Sequence, residues 1–132
     1  MDKRLRKTVR LLKVQEQLQR NAEWKLANLH AKADELQNAQ QALIQTLNDD
    51  EALHGLFVES RARRLQVLAV EASNVEKALE EQRKTALERA MQVKRTERFV
   101  DTLALENRRA TEKKEYLALL DNLAAKSDAS LP

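Results

Sequence analysis

The sequence predicts an all-α fold, two long helices forming an antiparallel coiled-coil hairpin in which the second helix is the longer. Three observations predict it. The 132 residues include one Gly and one Pro, too few chain breakers to supply the turns of a compact globule. Ala, Leu, Glu, Gln, Lys and Arg dominate, and these side chains lose little rotamer freedom in a helix. Leu, Val and Ala recur at alternating steps of three and four, the heptad spacing of a coiled coil. That regularity also argues against disorder, which a chain with 34% charged residues would otherwise invite.

The first helix is expected from about residue 3 to 47. From Ala22 its apolar ladder runs Ala22, Leu26, Leu29, Ala33, Leu36, Gln40, Leu43, Leu47. Upstream the apolar stripe is Leu11, Val14, Leu18, Ala22. Its step of four into Ala22 is followed by a second step of four into Leu26, a stutter that locally unwinds a supercoil without ending the helix.

The turn is expected over residues 48–56. Asn48, Asp49 and Asp50 bond readily to nearby backbone and suit a helix stop or an N-cap. Gly55 is the one residue free to adopt a left-handed conformation at no cost. A lone Gly inside a helix costs only ~1 kcal/mol, so a single unbroken helix pairing with a second chain is the competing arrangement. The Asn-Asp-Asp cluster favours the hairpin.

The second helix is expected from about 56 to 125, followed by a frayed tail over 126–132; the hairpin is one domain. Its ladder is Val58, Arg61, Leu65, Leu68, Ala72, Val75, Leu79, Gln82, Ala86, Arg89, Val93, Thr96, Val100, Leu103, Asn107, Ala110, Lys114, Leu117. Polar residues in such a seam cost stability and help fix register. A fold-back near residue 52 sets Leu36 against Leu68 and Leu29 against Val75, and the first arm then runs out opposite Val100. Residues from about Leu103 to Ala125 project beyond it, with an apolar face in Leu103, Ala110, Leu117, Leu120 and Leu123. An unpartnered amphipathic helix is marginal alone and is stabilised by a partner.

Catalytic and metal chemistry find no foothold. His30 and His54 are the only histidines, and neither has a second ligand at metal-site spacing. Asp49, Asp50 and Glu51 lack the alternating oxygen ligands of a calcium loop. There is no Gly-rich phosphate loop and no nucleophile elbow. Neither catalysis, a cofactor nor a small-molecule substrate is expected, and the expected mode of action is binding to other proteins. The chain has no Cys, which removes disulfides and thiolate sites. No apolar run approaches the ~20 residues that cross a bilayer, and no secretory signal is expected of the basic N-terminus.

Lys3, Arg4, Arg6, Lys7, Arg10 and Lys13 invite a nucleic-acid or anionic-membrane function. Leu5, Val9, Leu11 and Leu12 interrupt them at helical spacing, so helix packing accounts for them better. Arg61, Arg63 and Arg64 beside Phe57 form a candidate docking surface near the turn, or Phe57 covers the hairpin tip. Trp24, on the flank of the first arm, is an interaction candidate or a shield for the opposite helix.

The second arm carries Val75-Glu76-Lys77-Ala78-Leu79-Glu80-Glu81-Gln82-Arg83 and, further on, Leu105-Glu106-Asn107-Arg108-Arg109-Ala110-Thr111-Glu112-Lys113-Lys114-Glu115-Tyr116. A helical arm ending in this Glu-Asn, basic, Lys-Lys-Glu-aromatic pattern resembles the FliJ family of flagellar export proteins and the related YscO-like stalk proteins of injectisomes. The resemblance implies a cytoplasmic component of a bacterial type III export apparatus, peripheral to the inner membrane. Its expected partners are the hexameric export ATPase, the cytoplasmic domain of the export gate (FlhA-like) and export chaperones. By the same resemblance Leu103, Asn107, Arg108, Arg109, Lys113, Lys114 and Leu117 would contact the ATPase ring. Val75, Ala78 and Gln82, with Phe57, would contact the gate. Two further classes remain alternatives: a homodimeric coiled-coil scaffold, and a basic helix that binds nucleic acid or membrane.

Overall fold

The computed structural model describes residues 2–49 and 54–129. Two helices account for nearly all of them: α1, Lys3–Asp49, of 47 residues, and α2, His54–Ala129, of 76 residues. The fold is the all-helical hairpin that the heptads predict, with the second helix the longer.

Both helices exceed their expected bounds. Asn48 and Asp49 continue α1, and His54 and Gly55 already belong to α2. No described glycine has a positive φ, so Gly55 is a helical residue and not the point of reversal. The modest cost of one helical glycine explains why it is tolerated. Asp50, also expected to cap or stop a helix, lies outside the described residues. The expected frayed tail is helical as far as Ala129, where good helix formers such as Leu123, Ala124, Ala125 and Lys126 keep propensity high; residues 130–132 lie outside the described part. At its other end α1 is capped by Asp2. The Arg4 amide donates to Asp2 Oδ1 at 3.3 Å and the Arg6 amide to Asp2 O at 3.1 Å, which satisfies donors that a helix start leaves without partners.

The chain divides into two compact units, Gln17–Ala90 and Met1–Glu16 with Met91–Pro132. In the first of these the arms run antiparallel. Gln82 Nε2 donates to Ala22 O at 3.1 Å, within the register that a fold-back near residue 52 predicts. Its core is Ala22, Leu36, Leu68, Leu79 and Ala86, of which Leu79 is 2% exposed. In the other unit Leu5, Val93 and Leu103 are buried, and the Arg4 guanidinium stands over the Phe99 ring at 5.3 Å. Such a cation–π contact contributes about 0.5–1 kcal/mol at an exposed site.

Burial along α2 follows the expected ladder from Arg61 to Asn107 without a break. Along α1 it does not. The line Leu5, Thr8, Leu12, Gln15, Gln19 and Ala22 is buried or half-buried, with Val9 and Glu16 half-buried beside it, after which the expected ladder resumes. This line alternates three and four throughout, so there is no stutter. Leu11, Val14 and Leu18, expected in the seam, are 50%, 57% and 37% exposed. Phase outranks hydrophobicity here, because a helix paired along one heptad line cannot rotate to bury three residues without exposing the rest. Buried Thr8 meets its own need by donating to Arg4 O at 2.8 Å.

Candidate partner-binding surface

The seam positions end at Asn107, and the helix beyond that point forms the candidate site. Asp2 shares a notch with Leu103, Glu106, Asn107, Ala110, Thr111 and Lys114. Arm one therefore covers α2 past Val100. Leu103 is 5% exposed and Asn107 half-buried, whereas every residue from Arg108 to Asp128 is exposed. The overhang begins at Arg108 rather than at Leu103. From there to Ala129 it spans 22 helical residues, roughly 33 Å at 1.5 Å per residue.

The overhang carries apolar groups on two sides. A helix turns by about 100° per residue. Ala110, Lys114, Leu117, Asp121 and Ala124 prolong the heptad line, with Leu120 beside Leu117. Tyr116, Leu119 and Leu123 stand on the far side at 62%, 56% and 56% exposure; Leu123 thus lies away from the face expected for it. The charges are ordered along the segment. Arg108, Arg109, Lys113 and Lys114 outnumber Glu112 and Glu115 in its first half, and Asp121 and Asp128 outnumber Lys126 in its second.

Of the residues that the family resemblance assigns to a ring contact, Arg108, Arg109, Lys113, Lys114 and Leu117 are exposed together on this segment. Leu103 is buried in the seam, and Asn107 is half-covered at its end. The residues assigned to a gate contact do not form one exposed patch. Val75, Ala78 and Gln82 are half-buried on the side of α2 that faces α1, and the Gln82 amide is engaged by Ala22. Phe57 is 50% exposed.

Near the turn Arg63 pairs with Glu59 at 2.9 Å, Arg61 is half-buried and Arg64 exposed. A shallow, mostly apolar cleft of Arg63, Gln66, Val67, Val70 and Glu71 lies one turn further on. Val67 and Val70 are 56% and 57% exposed and sit off the ladder at a spacing of three; that off-phase pair was the available sequence signal. Trp24 is 64% exposed. The basic N-terminal residues divide: Lys3, Arg6, Lys7 and Arg10 line one groove, and Arg4 turns to Phe99.

Among the described residues no helix is long and apolar enough to cross a membrane, and no group of three or more His, Asp or Glu is placed to hold a metal ion. Neither a protein-family model, a curated protein nor a solved structure matches the chain.

Proposed function

We propose that the chain is a non-enzymatic stalk component of a bacterial type III export apparatus, flagellar or injectisome, that inserts its overhang into the central hole of the hexameric export ATPase. The observation that carries this reading is the uncovered helix from Arg108 to Asp128 beyond a seam that ends at Asn107. A single helix some 10–12 Å wide suits a narrow polar channel, and Arg108, Arg109, Lys113 and Lys114 offer charge to its lining. The resemblance of the second arm to the FliJ family supplies the partner. In the same reading the part nearer the turn contacts the export gate and export chaperones, and the protein works in the cytoplasm at the inner membrane.

The test is ATPase stimulation by the full chain and by a variant ending at Asn107. Stimulation is expected to be lost in the shortened chain, while binding through the turn-proximal end is kept. Undiminished stimulation by the shortened chain would overturn the stalk reading.

A further inference from the structure

We propose that two copies of the chain associate tail to tail, residues 108–128 of each packing antiparallel along the prolonged heptad line, with Lys114 of one copy facing Asp121 of the other. Every residue of the line from Ala110 to Ala124 is exposed, and the notch that Asp2 lines reaches along it as far as Lys114. A helix antiparallel to α2 has the same direction as α1, so a second copy's overhang continues the groove that α1 leaves.

The occupant is specified by the order of charges. Lys114 and Asp121 stand symmetrically about the centre of the segment, on the same line as Leu117. Antiparallel pairing therefore forms the Lys114–Asp121 contact twice, with Leu117 and Leu120 of both copies between, 49% and 43% exposed in the single chain. Parallel pairing would set Lys114 on Lys114 and Asp121 on Asp121, which is repulsive. The same antiparallel register lays the basic first half of each overhang over the acidic second half of the other. Charge complementarity of this kind fixes partner and orientation.

The inference does not rest on the stalk reading. A copy seated on this line covers the residues a ring would take, so the two occupancies exclude each other.

Sedimentation equilibrium of the full chain across the micromolar range provides the test, with helicity of each variant checked by circular dichroism. The mass is expected to rise from 15.2 kDa toward twice that value with concentration. Lys114→Asp or Asp121→Lys alone should weaken the dimer tenfold or more, because each places like charges opposite one another twice. An equimolar mixture of these two variants should dimerise as the parent chain does, since every contact is then attractive again. A parent chain that stays monomeric, single reversals that leave the dimer intact, or a mixture that fails to recover would each overturn the proposal. ATPase stimulation, measured separately, reports on the stalk reading alone.

Discussion

Gln82 and Gln15 both occupy seam positions, where an amide brings less burial than leucine, yet their situations are opposite. The Gln82 amide donates to Ala22 O at 3.1 Å, a carbonyl whose second lone pair is free to accept it. The bond ties two arms that no disulfide joins and marks one register out of several that a repetitive heptad allows. Gln15 is half-buried and its Oε1 is enclosed without a hydrogen-bond donor. An enclosed acceptor left unsatisfied costs about 1–3 kcal/mol. Gln82→Ala should therefore destabilise the chain by about 1 kcal/mol, and Gln15→Leu should stabilise it by a similar amount. Urea unfolding followed at 222 nm checks both, and a loss of stability in Gln15→Leu would contradict this account of its environment. The exposed pairs Arg63–Glu59, Lys32–Glu35 and Arg83–Glu80 enter neither prediction, since surface pairs of this spacing contribute little.

Among elements, α2 was legible in the sequence and α1 only in part, for one physical reason. From Arg61 to Asn107 the heptad positions of α2 stay in phase even where they are polar, at Gln82, Arg89, Thr96 and Asn107, and burial follows them. In the first turns of α1 the most apolar stripe and the phase of the seam disagree. Leu11, Val14 and Leu18 attract attention by composition, while the line continuous with Ala22 runs through Gln19, Gln15, Leu12, Thr8 and Leu5. The exposed overhang was legible because it needs only unequal arm lengths. Its start at Arg108 was not, since it depends on where within residues 48–56 the chain turns, and a shift of a few residues moves the end of cover by a full helical turn. These placements separate two kinds of leucine. Leu103→Ala should cost about 2 kcal/mol, the low end for a buried leucine because a thin seam relaxes readily. Leu11→Ala and Val14→Ala should change stability by no more than about 0.5 kcal/mol. Thermal or urea unfolding of the three variants decides it; equal losses would restore the apolar stripe to the seam.

For the molecule as a whole, stability is distributed unevenly along α2, and this is what leaves its last segment available to a partner. Helices in water are held mainly by tertiary burial of one face, and an isolated helix of some twenty residues is marginal even with good formers. From Arg61 to Asn107 α2 has α1 to cover its ladder; from Arg108 to Asp128 no residue is covered. The dilute chain should accordingly melt in two phases by circular dichroism, a broad low-temperature loss from the overhang and then a cooperative transition of the paired arms. Hydrogen exchange should locate the first phase, with amides of 108–128 exchanging far faster than those of 65–103, because local opening there exposes nothing that burial had stabilised. Ending the chain at Asn107 should remove the first phase and shift the cooperative midpoint by little. Removing residues 1–16 instead uncovers Val93 and Leu103 and should lower that midpoint markedly. Raising the concentration supplies the discriminating step. If overhangs pair between copies, the low-temperature phase moves upward with concentration and the exchange protection of 108–128 rises with it, as mass action requires for any species that binds only the ordered helix. If the segment has no mate of its own kind, the first phase stays where dilution put it.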